Sequence, residues 1–223
     1  MREYNLRTSN NPKSLTTEAY RTLRTNIQFT SVDNVVKRIL FTSTGPQEGK
    51  SSTVANLAVS MSQAGKNVLI IDADLRNPSQ HKIFGLPNVT GLTSTLTEGL
   101  PSFTCIMKTP HEGLDILTSG PIPPNPAELL DSRRMKQILN DTTQAYEFVL
   151  IDSPPVIAVT DASVLAQSMD GVILVLAARE VKREYALDAK KQLEKVGAKI
   201  LGIVLNKAKV QSQKHTYYYY YGH

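Results

Sequence analysis

The sequence predicts an α/β fold, doubly wound around a mostly parallel sheet, and three observations predict it. Short runs of Val, Ile and Leu alternate along the chain with segments of helical periodicity. The runs are apolar without alternation, as strands covered on both faces are. Two of them, Val68–Asp72 and Phe148–Asp152, close on aspartate, at the edge where sheets of this kind gather ligands.

Taken in order, residues 1–13 are polar, with Pro12 among them, and read as a loose arm. Leu15–Phe29 places Tyr20, Leu23, Ile27 and Phe29 near helical spacing and reads as an amphipathic helix. Arg38–Ser43 reads as a strand, Gly49–Ala64 as a helix and Asn67–Asp72 as a strand. Ala127–Asn140 (helix), Phe148–Asp152 (strand), Asp161–Ser168 (helix), Gly171–Ala177 (strand), Lys182–Val196 (helix) and Lys199–Asn206 (strand) complete the series. Between Leu75 and Leu114 the pattern weakens under Pro78, Gly85, Pro87, Gly91, Gly99 and Pro101, and Gly120–Pro126 is a stiff extended loop. One domain is expected over residues 1–206, with 207–223 as a flexible tail.

Composition narrows the chemistry. The 223 residues include one cysteine, Cys105, which excludes internal disulfides and fits a reducing cytoplasm; the four scattered histidines offer no zinc-ligand spacing. The apolar runs are too short to span a bilayer and the N-terminus lacks a signal-peptide pattern, so a soluble, cytoplasmic protein is expected. The net charge of +5 suits a solvated surface or attraction to nucleotide phosphates or an anionic membrane. It forms no basic stripe interleaved with aromatics, so nucleic acid is not an expected partner.

Ile39 to Thr53 reads ILFTSTGPQEGKSST, a strand running into a tight turn that opens a helix. Phosphates need converging backbone N–H groups, a helix N-terminus and a cation. Gly49 permits close approach, Lys50 supplies the charge, and the Ser51 hydroxyl is placed to ligate Mg²⁺. The strict phosphate-loop pattern has glycine where this chain has Thr44. Asp72 and Asp74, two apart after one strand, can face one ligand, and Asp152, followed by Ser153, Pro154 and Pro155, has the form of a Walker B element. Magnesium takes one or two carboxylates besides phosphate, which leaves one acid as a base. Asp74 and Asp152 are therefore assigned to the metal and Asp72 to the proton of an attacking hydroxyl. The plainer reading of each is a cap on the following turn or helix. Arg76 has two readings, reaching a phosphate or pairing with Asp74.

Tyr217, Tyr218, Tyr219, Tyr220 and Tyr221 form an unbroken run near the C-terminus. A packed core would not use five adjacent phenols. The run reads either as an adhesive tail without chemistry or as a cluster of phosphoacceptors, each gaining about −1.5 to −2 charges when modified.

These segments, together with Gly120–Leu130 and the Glu18, Arg21, Arg24 pattern, resemble the bacterial tyrosine kinases (BY-kinases) of capsule and exopolysaccharide export over nearly the whole chain. The resemblance implies a P-loop NTPase fold of the MinD/ParA type and an ATP- and Mg²⁺-dependent protein tyrosine kinase that phosphorylates its own tail in trans. Its nucleotide loop falls on Gly45, Gln47, Glu48, Gly49, Lys50, Ser51 and Ser52, with Lys50, Asp72, Asp74 and Asp152 catalytic and Ser51, Asp74 and Asp152 on the metal. It further implies a ring-like homo-oligomer built through Glu18, Arg21 and Arg24, which lie one helical turn apart on one exposed face. A membrane-embedded activator with a cytoplasmic C-terminal segment would hold the kinase at the inner face of the membrane. Gln47 departs from the family, whose members commonly carry glycine there. The alternatives are a MinD/ParA-type ATPase switch without kinase activity, which carries a second lysine where this chain has Gly45, and an interaction module with a merely structural nucleotide site.

Overall fold

A computed structural model describes Leu6, Thr8, Asn11 and residues 13–30 and 35–208; the tyrosines at 217–221 lie outside the described residues. The strands are β1 (Arg38–Ser43), β2 (Val68–Asp72), β3 (Ile106–Lys108), β4 (Leu114–Leu117), β5 (Phe148–Asp152), β6 (Gly171–Ala177) and β7 (Ile200–Asn206). They form one sheet in the order β3-β4-β2-β5-β1-β6-β7. Every neighbouring pair is parallel except β3 with β4. The doubly wound, mostly parallel architecture is therefore the one the apolar runs predict.

The helices are α1 (Leu15–Thr30), α2 (Lys50–Ser62), α3 (Gln80–Phe84), α4 (Leu92–Thr97), α5 (Ser102–Cys105), α6 (Pro126–Asp131), α7 (Arg133–Ala145), α8 (Asp161–Ala166) and α9 (Arg183–Lys195). Successive strand residues point to opposite faces, so each central strand feeds two cores. Ile39 and Phe41 of β1 pack with Ile70, Leu150 and Ile173 beneath Val54, Leu57 and Met61 of α2 and Ile27 of α1. Leu40 joins Ile71, Ile151 and Leu174 on the other face, under Met135 and Leu139 of α7, Leu165 of α8 and Leu193 of α9. Each such side chain stabilises by about 1.5–3 kcal/mol when fully buried, which makes β2, β5 and β1 a firm base for what their ends carry. No helix among the described residues is long and apolar enough to cross a membrane.

Four features differ from the sequence-based expectation. The helix expected over Ala127–Asn140 is two, because Ser132 turns to extended backbone (φ −63°, ψ 154°) and its hydroxyl caps α7 by accepting from the Met135 N–H at 3.1 Å. The weakly patterned segment contains β3, β4 and short helices. Its strand β4 escapes notice because Asp115 interrupts four residues; that buried carboxylate accepts from Lys108 Nζ (2.7 Å) and the Tyr146 hydroxyl (2.8 Å). β7 is an edge strand with Ile203 and Leu205 exposed, so it is not covered on both faces. Arg24 does not share an open face with Glu18 and Arg21. Those two pair on the surface, whereas Arg24 turns inward and donates from Nη1 to the Ser60 carbonyl of α2 at 2.6 Å.

Candidate active site

β5 lies between β2 and β1, with Asp152 in register with Asp72 on one side and Phe41 on the other. The phosphate loop after β1 and the acids ending β2 and β5 thus meet at one edge of the sheet.

The loop is braced from within. Glu48 folds back so that its Oε1 accepts from the Thr44 hydroxyl and the Gly45 N–H. Thr44, standing where a stricter pattern has glycine, spends its hydroxyl on this brace. The Glu48 carbonyl accepts from Asn206 Nδ2 of β7 at 2.9 Å. Gly49 adopts φ 87°, and a Cβ there would lie 1.8 Å from Asn206 Nδ2, so any other residue would be strained and would push the Asn206 side chain aside. Gln47 is also left-handed, at φ 66°, which costs a non-glycine residue about 1–2 kcal/mol. The position where the resemblance expects glycine is thus one that needs glycine's freedom. α2 then opens at Lys50, directly after the loop, where the first N–H groups of a helix have no partner within it and no side chain caps them. Ser52 lies in that first turn, its carbonyl accepting from Asn56 Nδ2.

Lys50 is the meeting point. Its buried ammonium hydrogen-bonds Asp152 Oδ1 and lies 3.6 Å from Asp74 Oδ2 and 3.3 Å from Ser51 Oγ. Burial by itself would lower the Lys50 pKa, but the charges of Asp152, Asp74 and Asp72 leave it raised. Asp72 is fully buried; its Oδ2 accepts from the Ser79 N–H (3.0 Å) and the Gln80 N–H (2.9 Å), while Oδ1 has no hydrogen-bond partner among the described residues. Burial, reinforced by the Asp152 charge, pushes the Asp72 carboxyl up to about 8. Asp74 is raised too, first by burial, with Lys50 pulling the other way; its Oδ1 accepts from the Asn77 N–H at 3.0 Å. Asp72 and Asp74 therefore do cap the turns that follow them, and each keeps a second oxygen for other work.

The native Asp72 carboxyl holds its proton up to about pH 8, whereas an unfolded aspartate releases it near 3.8. The native state binds the extra proton over that interval, so stability falls as pH rises through it. In ligand-free protein the urea midpoint is expected to decline from pH 5 to pH 8, and Asp72→Asn, which cannot ionise, to flatten the slope. Identical slopes in the two proteins would refute this.

Three contributors carry no mark in the sequence. Gln80 donates from Nε2 to Asp152 Oδ2 (2.7 Å) and the Ser51 carbonyl (3.1 Å). Asn206 forms the floor of the phosphate loop. Asp161, fully buried, takes Arg76 in a two-pronged bond, with Nε and Nη2 each at 3.0 Å. Arg76 thus pairs with Asp161 rather than with Asp74, because Asp161 offers it a planar match.

The donor set suits a hard divalent cation. Among the described residues no three Asp, Glu, His or Cys side chains gather closely enough to hold a metal alone. Magnesium asks for less, one or two carboxylates with phosphate oxygens. The Ser51 hydroxyl, Asp74 and Asp152 already converge on one cation, the Lys50 ammonium, and all are oxygen donors.

The chain and its fold have counterparts among known proteins. A ParA family model, described as NUBPL iron-transfer P-loop NTPase, matches residues 34–222. The tyrosine-protein kinase YwqD of Bacillus subtilis is 48% identical, covering 95% of this chain and 88% of that protein. The tyrosine-protein kinase CpsD of Streptococcus agalactiae is 39% identical, covering 86% and 82%. The solved kinase domain of the Escherichia coli tyrosine kinase ETK superposes with a TM-score of 0.90 at 32% identity, covering 94% of this chain and 82% of that one.

Proposed function

The chain belongs to the bacterial tyrosine kinases built on the ParA-type P-loop fold, and from that premise we propose that it moves the γ-phosphoryl group of ATP, with Mg²⁺, onto tyrosine hydroxyls, those of Tyr217–Tyr221 on a second copy among them. It is a protein tyrosine kinase of the capsule and exopolysaccharide type. The observation that carries the reading is the convergence of Ser51 Oγ, Asp74 and Asp152 on the Lys50 ammonium, at the mouth of a phosphate loop.

Phosphoryl transfer asks a protein chiefly for positioning and charge. The amides from Gln47 to Ser52, at the loop and the α2 N-terminus, cradle the phosphates, and Lys50 meets the charge on the β and γ oxygens. Ser51, Asp74 and Asp152 would hold Mg²⁺, which supplies neutralisation of the charge building on the transferred group. Asp72 is held at Oδ2 by two backbone amides and, once the charge of a bound cation favours its ionised form, would accept the tyrosine proton at Oδ1. The new bond joins the phenolic oxygen to the γ phosphorus, the bond to the β–γ bridging oxygen breaks, and ADP leaves.

Self-association through the exposed Glu18–Arg21 pair, with Arg24 anchoring α1 to α2, belongs to the same proposal, as does a separate membrane activator that holds the kinase at the inner face of the membrane. The ATPase-switch reading has Gly45 against it, and the relatives named above are kinases.

The test is to incubate the full chain with γ-labelled ATP and Mg²⁺ and compare a variant with Tyr217–Tyr221 all changed to Phe. Wild type is expected to take up label and the variant to lose it. Phosphate release with no label on protein would overturn the kinase reading.

A further inference from the structure

We propose that Gln80 is a positioning residue for phosphoryl transfer: its side-chain amide ties Asp152 to the start of α2, fixing how Ser51 and Asp152 present their oxygens to a nucleotide-bound divalent cation. The inference rests on the nucleotide reading above and deepens it.

Gln80 is wholly buried at the first position of α3. An amide NH₂ has two protons, and here each has its own acceptor: the Ser51 carbonyl at 3.1 Å and Asp152 Oδ2 at 2.7 Å. Those acceptors belong to different segments, the opening turn of α2 and the end of β5. The backbone N–H of the same residue donates to Asp72 Oδ2 at 2.9 Å, at the end of β2. One residue therefore touches all three segments that build the site.

The orientation of the amide is dictated by its neighbours. A carbonyl and a carboxylate are both pure acceptors, so the NH₂ must face them; the amide oxygen in its place would meet two like dipoles. With Oδ2 held by Gln80, Asp152 directs Oδ1 to the side where Lys50 lies, the side shared with Ser51 Oγ and Asp74. Gln80 also stands between two acids that are register partners, giving Asp72 its backbone N–H and Asp152 its side-chain amide.

Packing alone does not call for glutamine. Methionine or leucine would fill a buried site of this size without an unpartnered polar atom of its own, yet Gln80 leaves its Oε1 without a hydrogen-bond partner among the described residues. The cost of that oxygen is offset by what the nitrogen does. Groups that orient metal-binding carboxylates in this way change metal affinity or activity by about 10–100-fold when removed.

The experiment compares the full-length wild type with Gln80→Met, which keeps the volume and removes both donors. Three quantities are measured: kcat and KM for ATP with a tyrosine peptide acceptor, affinity for a fluorescent ADP analogue with and without Mg²⁺, and the melting temperature. The variant is expected to lose about 10–100-fold in kcat. Its metal-free ADP affinity should stay near wild type, while the gain in ADP affinity on adding Mg²⁺ shrinks, the KM for ATP rises with that loss, and the melting temperature drops modestly as the Ser51 carbonyl and Asp152 Oδ2 lose a donor. Wild-type kcat with an undiminished Mg²⁺ gain would overturn the proposal. So would an equal loss of ADP affinity with and without the metal, the mark of a merely structural residue. If wild type fails to label tyrosine but the Mg²⁺ gain is still lost in Gln80→Met, the kinase reading fails and the positioning role stands; if wild type binds no ADP, both fail.

Discussion

Lys50→Met is expected to abolish tyrosine labelling, a loss of about 10²–10³-fold or more, because it removes the charged donor of the loop that is proposed to meet the transferred phosphate. The same change should alter the resting protein. Lys50 is the only cation that the described ion pairs place on Asp152 and Asp74, and both carboxylates are shut away from water. Taking away one partner of a buried pair typically costs about 3–5 kcal/mol, though acids left without a counter-charge can take up protons and recover part of it. That recovery is available only at low pH. The melting temperature of Lys50→Met should therefore lie closer to wild type at pH 5 than at pH 8, with the deficit widening as the solution grows more alkaline. A pH-independent deficit, or label retained on the variant, would contradict the assignment.

Gly49→Ala is expected to be nearly as damaging by a different route. The added methyl would lie 1.8 Å from Asn206 Nδ2, and φ 87° disfavours any residue with a Cβ. Left-handed backbone costs about 1–2 kcal/mol and overpacking about 1–3 kcal/mol, so a loss of roughly 2–5 kcal/mol in urea denaturation follows. Nucleotide affinity should fall with it, since Asn206 would have to give up the Glu48 carbonyl that it holds. Trimming the obstacle with Asn206→Ala in the same chain should relieve the clash and leave the backbone strain, giving partial recovery of stability. Full tolerance of Gly49→Ala alone would show that the floor of the loop is softer than described.

Much of this arrangement is legible in the residues. The central strands announce themselves as uninterrupted apolar runs because their burial on both faces removes any need for polar alternation. The phosphate loop and the strand-end acids are local patterns, readable over a dozen residues. What escapes notice is non-local or unperiodic. Gln80 lies in a five-residue helix within a stretch punctuated by Pro and Gly, too short for any periodicity, and its partners are 29 and 72 positions away. Asn206 reaches Glu48 across 158 positions, and Arg76 finds Asp161 across 85. Pairings of that range come from the strand order, which places β2, β5 and β1 side by side, and a single sequence does not state the order. Arg24 illustrates the converse: helical spacing correctly sets it one turn from Arg21, but which flank of α1 meets α2 is decided by packing.

Asp72 and Asp152 face each other across adjoining parallel strands, held at the ladder spacing of about 4.8 Å by the main chain itself. The gap between the proposed proton acceptor and the proposed metal-binding acid is consequently a property of the sheet, insulated from whatever the surrounding loops do. Lengthening, shortening or exchanging those loops can retune which acceptor is admitted while the distance that governs the chemistry stays constant. Asp74, two residues beyond Asp72 and off the strand, is the member of the trio that such remodelling would displace first.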